Sequence, residues 1–166
     1  MSKKRKARQA DLTQYAALPF ATDASGTLRV LLVTSRETRR WVIPKGWPMK
    51  GRKPHKAAAR EAFEEAGVVG KVAKRPIAAF DYWKRRETTF SLCRVDVFAL
   101  AVERLEPQWP EQHERDRGWF DLATAASLVE EPGLQLILMK FAGPKSEPQP
   151  TRLVDMRPST TGANEV

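Results

Sequence analysis

The stretch Arg60-Glu-Ala-Phe-Glu-Glu-Ala-Gly67 places three carboxylates, Glu61, Glu64 and Glu65, within five residues. It closes the run PHKAAAREAFEEAG (54–67), which reads as a helix. Pro54 suits the first turn, the alanines have high helix propensity, and Gly67 suits the position just past the end. Each helical residue advances about 100°, so Glu65 lies about 40° to one side of Glu61 and Glu64 about 60° to the other. The three acids therefore share one face. Ala59, Ala62, Phe63 and Ala66 fall on the opposite side, with Phe63 expected to anchor the helix on a sheet. Like charges three and four residues apart repel. They also lie in the last turns, where the helix dipole disfavours negative charge. Either this is a solvated acidic face with Arg60 as its partner, or it awaits a hard cation such as Mg²⁺ or Mn²⁺.

The approach to that helix has the opposite sign. From Thr38 to Arg60 there is no acid, while Arg39, Arg40, Lys45, Lys50, Arg52, Lys53, Lys56 and Arg60 all carry positive charge. A one-signed run beside a carboxylate cluster suits a strongly negative guest such as a phosphate chain. Simple solubilising charge is the other reading. Lys84, Arg85 and Arg86 follow the aromatic pair Tyr82–Trp83 at a strand end, as a second wall of the same site or as a plain hairpin tip.

Outside the helix, strand signals dominate. TQYAALPFA (13–21) and LRVLLVTSR (28–36) flank Asp23, Ser25 and Gly26, which predicts a hairpin. WVIP (41–44) reads as a short strand, followed by a loop KGWPMKGRK. KVAKRPIAAFDYW, TFSLCRVDVFALAV and RGWFDL read as further strands. Asp121 is placed to cap a helix through TAASLVEE, broken by Pro132 and Gly133, before a last helix in LQLILMKFA. The expected architecture is α/β, a mixed sheet between helices.

The 166 residues suit one domain, expected over residues 12–142. Residues 1–11 read as a basic disordered tail; residues 1–10 hold five basic residues and no acid. Contact with nucleic acid is expected only through that tail. Residues 143–166 read as a flexible Pro/Ser/Thr-rich tail. A lone cysteine, Cys93, without metal-binding Cys/His spacing points to a reducing cytoplasmic setting. MSKKRKARQ has no apolar stretch after it, so no secretory leader is expected, and no membrane contact either.

The segment from Gly46 to Val68 resembles the Nudix box, G-x5-E-x7-R-E-U-x-E-E-x-G-U, where U is apolar. Gly46, Arg60, Glu61, Ala62, Glu64, Glu65, Gly67 and Val68 fall on it; Arg52 stands where the pattern has its first Glu. The likeness extends over about residues 12–142. It is closest to the diphosphoinositol polyphosphate phosphohydrolase branch, and the PKG wording around Lys45 also resembles dinucleoside polyphosphate hydrolases.

The resemblance implies an α/β/α sandwich and Mg²⁺- or Mn²⁺-dependent hydrolysis of a phosphoanhydride in a polyphosphorylated small molecule. An inositol pyrophosphate is expected first. A dinucleoside polyphosphate or nucleotide-sugar diphosphate is the alternative, with Tyr82, Trp83 or Trp47 as an aromatic clamp. By motif position Glu61 and Glu65 resemble the main metal ligands, with the main chain near Lys45 or Gly46, and Glu64 joining. Glu64 resembles the general base, Glu61 acting with it. Arg60 would orient the glutamates, and Gly67 is structural. Arg36, Lys45, Arg52, Lys84, Arg85, Arg86 and Arg115 are the candidates for substrate phosphates, and Glu111 or Glu114 for an assisting acid. A monomer or homodimer is expected. A non-catalytic module that binds RNA or another polyanion is the reading from a different class.

Overall fold

A computed structural model describes residues 10, 12–143, 147–153 and 155–157. The basic stretch 1–9 and residues 158–166 therefore lie outside the described residues, and so does the expected nucleic-acid contact of the N-terminal tail.

Two long strands run parallel through the middle of one mixed sheet. They are β1 (Leu12–Thr22) and β7 (Phe90–Leu105), registered from Leu12 opposite Cys93 to Phe20 opposite Ala101. Each carries two short strands in tandem on its free edge. On β1 these are β2 (Leu28–Thr34), paired at Phe20–Thr22, and β4 (Lys45–Gly46), paired at Tyr15–Ala16. On β7 they are β5 (Val68–Val72) and β6 (Ala78–Arg85). Two further strands, β3 (Trp41–Val42) and β8 (Arg117–Asp121), pair with β2.

The β1–β2 hairpin turns where the sequence places it. The Asp23 carboxylate accepts from the Ser25 hydroxyl, the Ser25 and Thr27 amides and the Arg29 guanidinium, the last at 2.7 Å. The Ser25 bond first, and Arg29 next, hold its carboxyl well below the usual carboxylate range. Three expectations shift. The loop after WVIP opens with a strand, β4. KVAKRPIAAFDYW forms two strands, because proline lacks the N–H needed to continue a ladder at Pro76. Pro132 begins a helix where it was expected to break one, occupying the first turn of α3 (Pro132–Lys140). Asp121 does cap α2 (Leu122–Leu128), accepting from Thr124 N–H at 2.8 Å.

The helices lie on both faces of the sheet, an α/β/α sandwich. On one face Leu134, Leu138, Phe141 and Ala125 cover Leu18, Phe20, Val30, Leu32, Val95 and Val97. On the other, α1 (Pro54–Ala66) packs Ala58, Ala62 and Ala66 onto Ala17, Ala21, Leu31, Val33, Phe98 and Val102. The helix contributes only methyl groups to this contact. Phe63 is not the anchor: it is half-buried at the edge of a shallow groove, under Arg60 at 5.4 Å. The buried stripe is the alanine stripe. Gly67 ends the helix with φ +65°, a left-handed residue that glycine adopts without strain.

Part of the segment expected to be a flexible tail lies against the sheet edge. Thr22 donates to the Thr151 carbonyl at 3.0 Å and accepts from Leu153 N–H at 2.9 Å. Leu153 and Met156 pack against the α1-side core. These two apolar side chains, in a stretch with few apolar residues, have a hydrophobic surface to cover.

Enlarging the alanine stripe tests the close approach. Ala62→Leu is expected to destabilise by about 1–3 kcal/mol, the usual effect of overpacking, seen as a lower denaturation midpoint. An unchanged midpoint would mean that α1 is not tightly packed.

Candidate functional site

Strand β4 divides the site into two sides. Residues paired across adjacent strands point to the same face. Gly46 pairs with Tyr15, which belongs to the α1-side core, and Lys45 pairs with Ala16, which belongs to the other core. The carboxyl group of Glu61 lies directly beside Gly46, so that a Cβ at that position would occupy the same space. Glycine here is required by close approach.

The three acids of α1 separate into different environments. Glu65, turned towards the alanine stripe, is 6% exposed, and Glu61 is half-buried. Burial pushes both up to about 7; Glu64 and Glu111 add to the effect at Glu61, while Arg115 and Lys45 oppose it at Glu65. Glu64 turns outward and accepts from Arg60 Nε at 2.8 Å. The single acidic face expected from the helix is thus an inward-facing pair, half-buried Glu61 and buried Glu65, with Glu64 held apart by Arg60.

The segment between β7 and β8 completes the pair. A helix leaves its last carbonyls without partners. Here Trp109 Nε1 donates to the Glu65 carbonyl at 3.0 Å, Arg117 Nη1 to that of Ala66 at 2.7 Å, and Glu111 N–H to that of Glu64 at 3.0 Å. The guanidinium of Arg117 lies over the Trp109 ring at 3.8 Å. This docking delivers Glu111 and Arg115. Arg115, buried, sits 3.4 Å from Glu65 Oε1 and 3.2 Å from Glu111 Oε1, and donates to the Thr34 carbonyl. Expected as a substrate contact, Arg115 instead ties two carboxylates together. Of the two candidate assisting acids, Glu111 belongs to this cluster, and Glu114 is exposed outside it.

The basic candidates also divide. Lys45 is half-buried on the side away from α1, its ammonium 5.5 Å from the Tyr82 ring centre. Desolvation lowers its pKa, and Glu65 and Glu131 oppose that shift. Alternation along β6 puts Tyr82 and Lys84 on this same side and Trp83 and Arg85 on the other. Lys84 lies over the Trp47 ring at 5.4 Å, and the two line a cleft with Arg86, Thr88 and Thr89. Lys84 and Arg86 therefore share a wall that Arg85 does not join. Arg36 reaches the cluster's rim, 3.8 Å from Glu111. Arg52 lines the groove on the outer flank of α1 with Lys56, Arg60 and Phe63, so it is not brought to the Glu61–Glu65 pair.

Two residues near the site, Glu131 and Gln14, had no signal in the sequence. Arg40 donates to Glu131 Oε1 at 2.5 Å, across 91 positions of chain, and Glu131 is 8% exposed. Gln14 accepts from the Tyr82 hydroxyl at 2.7 Å. Only the tertiary fold joins these pairs.

A divalent cation fits the donor set in one particular way. Among the described residues no three His, Cys, Asp or Glu side chains converge into a ready cage. Mg²⁺ characteristically takes one or two carboxylates and completes its shell with water and substrate phosphate. Half-buried Glu61 and buried Glu65, both poorly solvated, match that mode.

A family model described as "NUDIX domain" matches residues 12–141. "Nudix hydrolase 13, mitochondrial" of Arabidopsis thaliana is 30% identical over 127 residues, covering 73% of this chain and 63% of that protein. "Diphosphoinositol polyphosphate phosphohydrolase 3-alpha" of Mus musculus is 36% identical over 104 residues, covering 61% of this chain and 60% of that one. The chain thus spans about three fifths of the length of these curated relatives. In structure it shares the fold of a C. elegans Ap4A hydrolase, with TM-score 0.58, 17% identity and coverage of 79% of this chain and 96% of that one. It also shares the fold of the E. coli dihydroneopterin triphosphate pyrophosphohydrolase, with TM-score 0.60, 18% identity and coverage of 80% and 95%.

The raised carboxyl of Glu61 has a measurable consequence. Its folded pKa, about 7, lies above its ordinary value of 4.5, so between those values the folded protein binds more protons than the unfolded. Stability from this group therefore grows as pH falls from about 8 to about 5 and is lost as pH rises through about 7. With divalent ions chelated, the melting temperature of Glu61→Gln relative to the parent should be highest at pH 8 and decline towards pH 5. A difference independent of pH would show that Glu61 is not strained by burial.

Proposed function

The chain belongs to the Nudix family, and from that premise we propose that it hydrolyses a phosphoanhydride bond in a small organic di- or polyphosphate with a divalent cation. The observation that carries this reading is the pair of buried Glu65 and half-buried Glu61, the latter pressed against Gly46, lacking full compensation from the protein's own cations. On this reading Glu61 and Glu65, with main-chain oxygen near Lys45 and Gly46, hold Mg²⁺ or Mn²⁺. When bound, that ion neutralises phosphate charge and lowers the pKa of water. Arg115 keeps Glu65 and Glu111 in fixed orientation, and Arg60 does the same for Glu64. Glu64 and Glu111 both act electrostatically on Glu61, and the amide of Glu111 bonds the carbonyl of Glu64. They are the two carboxylates suited to take the proton of an attacking water. Lys45, Lys84, Arg86 and Arg36 contribute positive charge for the phosphates beyond the reacting one.

Two substrate classes fit that outline. The cations of this wall, and the likeness to the mouse diphosphoinositol polyphosphate phosphohydrolase, support an inositol pyrophosphate. The aromatic rings of Trp47 and Tyr82 among the cations support a nucleoside or dinucleoside polyphosphate. The proposal also retains a reducing cytoplasmic setting, on the ground of Cys93, and a monomer or homodimer.

Turnover should require Mg²⁺ or Mn²⁺ and stop with EDTA. Glu61→Gln and Glu65→Gln are expected to lose at least about a hundredfold in kcat. Of Glu64→Gln and Glu111→Gln, the one that removes the base should lose about 10²–10⁴-fold, and the other far less. Phosphate release across a panel of organic diphosphates reads all four. Near-parental rates in both Glu61→Gln and Glu65→Gln, or metal-independent turnover, would overturn the scheme.

A further inference from the structure

A groove opens on the α3 side of the sheet, between α3 and the residues 71–79 that carry β5 into β6. It shares no lining residue with the Glu61–Glu65 site. At Gly133 the helix touches β6, where a Cβ would stand 2.6 Å from the Phe80 Cβ. Beside that contact, Ile77, Ala78, Ala99, Leu136, Ile137 and Phe141 surround about 1370 Å³ of open space with apolar surface. Ile77 is 39% exposed and Leu136 53%; Met139, three residues further along α3, is 70% exposed. Large apolar side chains left in water together mark an interaction surface.

The rim of the groove is positive. Lys71, Lys74 and Arg75 stand on one bank and Lys140 on the other, all exposed. Among the described residues none of these four has an acid within 4.0 Å, whereas the surface arginines Arg29, Arg60, Arg94 and Arg104 each hold one. Glu147 is the one acid in the lining among the described residues. Small-molecule pockets measure about 300–1,000 Å³. This groove is larger and open to solvent, which suits a segment of polypeptide, and a concave surface does not lie flush on a bilayer. The sign of the rim selects among polypeptides. Residues 1–10 of the chain hold five basic residues and no acid, and the whole chain carries +9, so its own N-terminal stretch and a second copy both meet the rim with like charge.

We propose that this groove docks an acidic amphipathic helix of a partner protein. The apolar stripe of that helix lies on Ile77, Leu136 and Ile137, and its flanking carboxylates face Lys71, Lys74, Arg75 and Lys140. A helix presents apolar side chains in one stripe with polar residues along both edges, which matches an apolar trough between two basic banks.

The test is a binding measurement that does not depend on the hydrolase reading. Fluorescence anisotropy would follow a labelled peptide of about 15 residues, roughly four helical turns, titrated with the full chain. The peptide has leucines at i, i+4, i+7 and i+11 and glutamates on their flanks. A second peptide replaces every glutamate by lysine, and a third has the composition of the first with its leucines spread around the helix. Only the first is expected to bind saturably, and more weakly as salt is added. Leu136→Glu, and Lys74→Glu combined with Arg75→Glu, are each expected to weaken that binding by at least about tenfold. Thermal unfolding close to that of the parent shows that these surface variants are folded. No binding of the first peptide, equal binding of the first and second, or binding untouched by either variant would overturn the proposal. A dimer in sedimentation that Leu136→Glu abolishes would also overturn it and assign the groove to a second copy. Phosphatidylserine vesicles that bind the parent and not Leu136→Glu would overturn it in favour of a membrane. Absence of metal-dependent turnover would remove the hydrolase reading without altering these results.

Discussion

Helix α1 lies as close to the sheet as methyl groups permit. Ala58, Ala62 and Ala66 put only methyl groups on the helix's side of its contact with Leu31, Val33, Phe98 and Val102 of the sheet. Glu61 and Glu65 are carried inward with it, the first against Gly46 and the second to near-complete burial. Two carboxylates are thereby kept in a poorly solvated place, each with a pKa near 7. Like-charge repulsion and the helix dipole both argue against acids there. The dry alanine contact is what fixes them in that position, and the electrostatic shortfall follows from it.

The remainder of the site is arranged around that helix end. Trp109 and Arg117 through their side chains, and Glu111 through its amide, satisfy carbonyls that the last turn exposes, and so anchor the segment leading into β8. Arg115 then bridges Glu65 and Glu111. One set of bonds therefore terminates the helix and places a fourth carboxylate beside the first three. On the opposite side, two-residue β4 presents Gly46 to the acids and Lys45 to the aromatic and basic wall. A strand this short suffices because only the alternation of faces matters.

Much of this was legible in the residues. Pro54, the alanine run and Gly67 delimit α1, and Asp23 and Asp121 mark the hairpin turn and the α2 cap through their own hydrogen bonds. The spacing from Gly46 to Val68 identified the family. What escaped the sequence depends on tertiary contact. Helical angles put Glu61, Glu64 and Glu65 on one face, but the distance of the sheet decides which of them is buried. Phe63 is the largest apolar residue of α1 and still lies at the margin, because the smallest residues make the closest contact. The charge of Arg115 suggested phosphate binding; its burial between Glu65 and Glu111 assigns it to the protein itself. The Arg40–Glu131 pair joins residues 91 apart, and no local pattern announces it. Leu153 and Met156 looked like part of a polar tail until the sheet edge supplied a surface for them.

The account depends on Glu61 and Glu65 forming an electrostatically incomplete pair that a divalent cation completes. Calorimetric titration of the metal-free protein with Mn²⁺ at pH 8 addresses this directly, comparing the parent with the variant carrying both Glu61→Gln and Glu65→Gln. The account predicts saturable binding in the parent and its loss in the double variant. No binding in the parent, or equal binding in both, would contradict it.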